Sequence, residues 1–90
     1  MLDIVASNLF KKDIKLAKKR GFDISLLRDV VTTLAQKKQL DEKYRDHALQ
    51  GKYKGFRECH VEPDWLLVYQ IRKKEIELYL FRTGTHSDLF

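Results

Sequence analysis

The sequence predicts an α+β domain of order β-α-α-β-β-β, an antiparallel sheet covered on one face by two N-terminal helices. Three observations carry this. Residues 8–38 hold two amphipathic stretches of helical period. Residues 56–81 hold three runs rich in branched and aromatic residues, "FRECHV", "WLLVYQI" and "EIELYLF", each of strand length. Short turns, not flexible linkers, separate these runs, so the pattern is one of helices followed by strands in a single layer pair. Residues 1–90 then form one domain with a modest core, because a chain this short buries only about 60–65% of its unfolded surface.

Each element has its local reason. Residues 2–6, "LDIVA", read as a first strand, and Ser7 is placed to cap the helix expected over 8–20. On a helical wheel Leu9, Phe10, Ile14, Leu16 and Ala17 share one arc. Lys11, Lys12, Lys15, Lys18 and Lys19 share the opposite one. Gly21 suits the left-handed stop after that helix. Asp23 can cap a second helix over 24–38, with Ile24, Leu27, Val30, Val31, Leu34 and Ala35 on one face. Residues 41–55, "DEKYRDHALQGKYKG", form a connection long enough to suggest a functional loop. Glu62-Pro63-Asp64 is a tight turn between the first two sheet strands, and Arg72-Lys73-Lys74-Glu75 is a charged hairpin between the next two. Arg82 closes the last strand, Gly84 allows a turn, and His86 follows.

The charge is uneven. Residues 1–55 carry 13 Lys/Arg against 7 Asp/Glu, and residues 56–90 carry 5 against 6, within a total of +5. A positive N-terminal part favours an anionic partner such as nucleic acid, an anionic membrane surface or an acidic protein. No apolar run approaches the ~20 residues of a membrane span, and the N-terminus does not read as a signal peptide. The single cysteine, Cys59, has no internal partner, so a reducing cytoplasm is the expected compartment.

Three histidines fall in informative places: His47 in the long loop, His60 near a strand end, His86 after the last strand. In an antiparallel meander they can converge at one end of the sheet, near Glu58, Asp64 and Arg82. Each has an ordinary reading too. His47 fits a polar loop, His60 a half-buried structural position, His86 a terminal cap and Asp64 a turn. Trp65 fits a core position, Cys59 a small buried hydrophobe, and the lysine arc a solvated face. The histidines lie 13 and 26 residues apart, without the short spacing of a zinc site, so no metal and no cofactor is expected. Cys59 and His60 are neighbours on a strand and face opposite sides, which argues against a nucleophilic pair. RNA cleavage without a metal remains, because RNA brings its own 2′-hydroxyl nucleophile. It needs two proton transfers, suited to histidine near neutral pH, and stabilised phosphate charge, suited to arginine.

The stretch "DHALQGKYKGFRECHVEPDWLLVY", followed by "FRTGTHSDLF", resembles the YafQ branch of the RelE/ParE toxin superfamily, and "KKDIKLAKKR" extends the likeness into the helices. The resemblance implies a RelE-like fold and a type II toxin that cuts mRNA in the ribosomal 30S A site without a metal. It further implies a cognate antitoxin and no membrane partner. It implies catalytic roles for His47, His60, Asp64, Arg82 and His86, with Arg82 on the phosphate and His86 favoured as general acid. His60 or Asp64 would be the base or its electrostatic partner. Lys52, Lys54, Trp65 and Phe90 are then substrate contacts, Phe90 helping to place the mRNA base. Lys11, Lys15 and Lys18 would meet ribosomal RNA. Glu58 stands where the best-known member has an aspartate and is a further candidate. Two rivals remain: a ParE-like toxin that poisons a topoisomerase without catalysis, and a plain basic RNA-binding module.

Overall fold

The computed structural model describes all 90 residues. Its elements are β1 (Asp3–Ala6), α1 (Asn8–Lys19), α2 (Ile24–Ala35), β2 (His47–Ala48), β3 (Arg57–Glu62), β4 (Trp65–Arg72), β5 (Glu77–Gly84) and α3 (His86–Leu89). Short 3-10 turns at Glu42–Tyr44 and Gly51–Tyr53 flank β2. No helix is long and apolar enough to cross a membrane.

The expected helix starts hold. The Ser7 side chain accepts from the Phe10 amide at 2.9 Å, and Asp23 accepts from the Ser25 amide at 3.0 Å. These caps satisfy amides that have no partner inside the helix. α2 stops at Ala35, earlier than the periodicity suggests, because Lys37 turns into the left-handed region at φ 60°.

The sheet has five strands in the order β1-β5-β4-β3-β2. β3, β4 and β5 form the expected antiparallel meander. The sheet as a whole is mixed rather than antiparallel, because β1 lies parallel to β5, with Ile4 opposite Leu78. A chain that leaves β1 through two helices returns on the far side of the meander, so β1 is left at the edge beside the last strand. The long connection also contributes β2, a two-residue edge strand with His47 opposite Glu58.

Period-two alternation then sorts the sheet into two faces. Cys59, Val61, Leu67, Tyr69, Leu78 and Leu80 pack with Phe10, Leu27, Val30 and Leu34 into the main core. Fully burying side chains of this size contributes roughly 1.5–3 kcal/mol each. The Cys59 thiol is buried there and its pKa is pushed up by burial, as befits a small hydrophobe. The other face carries Leu66 and Val68, covered at one end by Leu89 of α3 with Leu49, Phe56 and Phe81 alongside. α1 sits over the β5 side of the sheet and buries only Phe10 and Ala17, so Leu9 and Leu16 of its apolar arc stay exposed.

Candidate active site

The second face of the sheet brings the three histidines together. On β3, Glu58 and His60 alternate with the core residues Cys59 and Val61 and so point away from the helices. Glu58 is 7% exposed, and its Oε1 lies 3.7 Å from Nε2 of both His47 and His60. The His60 and His86 ring centroids are 5.7 Å apart.

The second nitrogen of each ring is tied to an oxygen. His47 Nδ1 lies 2.7 Å from the Arg45 carbonyl, His60 Nδ1 3.2 Å from the Pro63 carbonyl, and His86 Nδ1 2.7 Å from Asp64 Oδ1. A carbonyl or an ionised carboxylate can only accept, so Nδ1 is the donor in all three rings. The Nε2 atoms are thereby left for proton transfer, two of them facing Glu58. The turn residues are what make this possible. Pro63 supplies the carbonyl that orients His60, and Asp64 accepts from both the His86 ring and the His86 amide, the latter at 3.1 Å.

His86 is seated by the start of α3. Thr85 and Asp88 form a reciprocal capping box, and Asp88 also takes two bonds from Arg20, the residue that caps the end of α1, at 2.6 and 3.2 Å. Asp88 approaches so closely that a Cβ at Gly84 would lie 2.9 Å from its Oδ2, so this position requires glycine. The bonds from Arg20, with those from Thr85, hold the Asp88 carboxyl down to about 2. The bonds from His86 likewise lower that of Asp64. A carboxyl depressed in the folded state stabilises the fold above its ordinary pKa, about 4 for aspartate, and the contribution is lost as pH falls through the folded value. Acid titration from about pH 4 down to about 2 is therefore expected to loosen α3. Leu89 amide exchange in this range should rise more steeply in wild type than in Asp88→Asn; parallel profiles would contradict this anchoring.

Arg82 does not point freely at the histidines. Its Nε and Nη2 bond Asp13 of α1 at 2.8 and 3.0 Å, leaving Nη1 without a protein partner. Asp13, 69 residues away, also accepts from the Thr83 amide at 3.1 Å. Lys52 and Lys54 are exposed on the turn after β2, with the Lys52 ammonium 5.4 Å from the centre of the Tyr53 ring. Phe90 is 57% exposed and meets Tyr53 edge-on at 5.5 Å, so the loop and the C-terminus present one aromatic pair. Lys11, Lys15 and Lys18 are exposed along α1.

Trp65 is a correction. It is 2% exposed, packs on Phe22 in the helix-side core and donates its indole N–H to Thr83 Oγ1 at 2.9 Å. The register slips between His60 and Glu62, and the strand after the turn begins with Trp65 on the core side. A substrate contact is excluded by that burial. Sequence reasoning also assigned no role to Asp13, Asp46 or Tyr53. Only Tyr53 had a signal, an aromatic between two lysines. Lys43 and Arg45 were missed as well; with His60 they line a cavity of about 450 Å³ beside the turn. No three His, Cys, Asp or Glu side chains are spaced to hold a metal ion.

Comparison with known proteins places this arrangement. The family model described as "Bacterial toxin of type II toxin-antitoxin system, YafQ" matches residues 2–90, so the chain is a small toxin of a bacterial toxin–antitoxin pair. The mRNA interferase toxin YafQ of Escherichia coli K12 is 45% identical over 89 residues, covering 98% of this chain and 95% of that protein. The chain belongs to the YafQ toxin family. Among solved structures, a metal-bound toxin from Helicobacter pylori is 54% identical with a TM-score of 0.95, each chain covered in full. YafQ in the E. coli DinJ–YafQ toxin–antitoxin complex is 46% identical with a TM-score of 0.89, covering 99% of this chain and 97% of that one.

Proposed function

We propose that this toxin is an mRNA endoribonuclease that cuts ribosome-bound message in the 30S A site by acid–base transesterification and is neutralised by a cognate antitoxin. The observation that carries the reading is the Nδ1-to-oxygen contact shared by His47, His60 and His86. Each ring is oriented through Nδ1, which frees Nε2 on one face of the sheet. The relative's name, mRNA interferase, supports it.

In this mechanism His60 Nε2 removes the proton from a ribose 2′-hydroxyl, and the 2′-oxygen attacks the adjacent phosphorus. The P–O5′ bond breaks as the protonated His86 ring gives its Nε2 proton to the leaving 5′-oxygen. The products are a 2′,3′-cyclic phosphate and a 5′-hydroxyl. Asp64 is bonded to the His86 ring and held ionised by it, so it serves as the partner that orients His86, and the base is left to His60. His47 and Glu58 complete the proton-handling group, Lys52 and Lys54 attract the phosphate backbone, and Phe90 stacks on the base. Arg82 Nη1 meets a phosphate oxygen while Asp13 holds the rest of the guanidinium.

No step here passes through a metal. EDTA is therefore expected to leave the cleavage rate unchanged. Loss of cleavage on chelation, restored by added metal, would transfer the chemistry to an ion of the kind described for the H. pylori relative.

The antitoxin reading is supported by the DinJ–YafQ complex and by the +5 charge, which favours an acidic partner segment. Growth is expected to stop when the toxin is expressed alone and to resume on co-expression of the antitoxin; unimpaired growth at high levels of folded chain would oppose the toxin reading. Ribosome binding is assigned to the lysine face of α1. Changing Lys11, Lys15 and Lys18 together to Glu should weaken ribosome affinity and flatten its salt dependence without unfolding the chain. Unchanged affinity at low salt would make this a solvated face only.

A further inference from the structure

The motif that supplies His47 begins with an aspartate that the mechanism leaves unused. Asp46 turns to the side of the sheet opposite His47. Its Oδ1 accepts from the Tyr69 hydroxyl at 2.6 Å and from Arg57 Nε at 3.3 Å. Tyr69 belongs to β4 and is 1% exposed in the main core, while Arg57 opens β3. One carboxylate thus ties the start of the edge strand to β3, its neighbour, and to β4 beyond it.

That tie matters because little else holds the segment. β2 is two residues long, paired on one side only, and short edge strands with few ladder bonds open readily. Just before it, Arg45 takes a left-handed conformation at φ 49°. This is the residue whose carbonyl receives His47 Nδ1–H at 2.7 Å. A non-glycine residue persists there only where its surroundings impose it. Asp46 lies between the two, fixed on the core side, so Arg45 and His47 cannot rotate independently of it.

We infer that Asp46 is a positioning residue: its clasp on Tyr69 and Arg57 holds the Arg45 carbonyl and the His47 ring in the orientation that aims Nε2 at Glu58. The consequence for cleavage rests on the ribonuclease reading above; the orientation of His47 does not. Asp46 touches no substrate, since its carboxylate and His47 leave the chain on opposite faces. An ordinary structural role, in which Asp46 only satisfies a buried tyrosine hydroxyl, predicts lost stability and an undisturbed His47.

The test is long-range ¹H–¹⁵N correlation of the three histidines in the full chain, paired with single-turnover cleavage on programmed ribosomes. In wild type, His47 should show one Nδ1–H tautomer. In Asp46→Ala its ring signals should average between tautomers while those of His60 and His86 stay in place. Cleavage should slow by about 10–100-fold at saturating ribosomes, with little change in half-saturation, as expected for a misplaced group. Asp46→Asn keeps an acceptor for Tyr69 and should restore most of both readouts; Tyr69→Phe should be intermediate. If Asp46→Ala does not fold, these two variants carry the same comparison. A His47 ring unchanged in tautomer in folded Asp46→Ala, or in Tyr69→Phe where Asp46→Ala does not fold, would overturn the inference, whatever the activity does. A disturbed His47 with full cleavage would uphold the positioning and remove His47 from the chemistry.

Discussion

His86→Gln is expected to give a folded chain that cleaves mRNA about 10²–10⁴-fold more slowly, the usual loss when a general acid or base is removed. His86 is exposed at the first position of a four-residue helix, so it supplies little packing, and α3 is held by Thr85, Asp88, Arg20 and Leu89 instead. Glutamine can replace a hydrogen bond to Asp64 but cannot transfer a proton. His86→Ala should be as slow. Asp64→Asn should be intermediate, because it leaves the ring in place but removes the carboxylate that fixes its tautomer. Single-turnover cleavage with circular dichroism on the same samples checks this. A folded His86→Gln protein within a few-fold of wild type would take His86 out of the mechanism.

Trp65→Ala is expected to abolish toxicity for a different reason. Removing a fully buried tryptophan costs roughly 3–5 kcal/mol, against a typical total of about 5–15 kcal/mol for a domain. Here the indole also leaves behind a buried Thr83 hydroxyl that had accepted its N–H, though Thr83 still donates to the Leu66 carbonyl at 2.6 Å. The denaturation midpoint should fall sharply, and Trp65→Phe should recover most of it. If Trp65→Ala retained wild-type stability and lost only substrate affinity, the buried placement of this side chain would be wrong.

His86 and Trp65 belong to neighbouring motifs, and their contrast marks where sequence reading succeeds. Helix caps at Ser7 and Asp23 were legible because a cap is decided within three residues. The meander was legible because alternation and turn chemistry are local too. The parallel pairing of β1 with β5 was not, since it joins residues some seventy positions apart with no local signature. The substrate role for Trp65 came only with the resemblance; the core position that its place at the head of an apolar strand suggested is the one the structure shows. The convergence of His47, His60 and His86 was suggested by topology and assigned only by resemblance. Nothing near Arg82 in sequence announces Asp13, so its arrival there already paired is a property of the fold.

The chemistry of the new RNA ends tests the central claim most directly. Full-length mRNA on programmed ribosomes, incubated with purified toxin and EDTA, should yield a 5′-hydroxyl fragment and a 2′,3′-cyclic phosphate or its hydrolysed monophosphate, with the cut in the A-site codon. Fragments bearing a 5′-phosphate and a 3′-hydroxyl, or cleavage only with metal restored, would contradict an attack by the 2′-oxygen driven by histidine proton transfer.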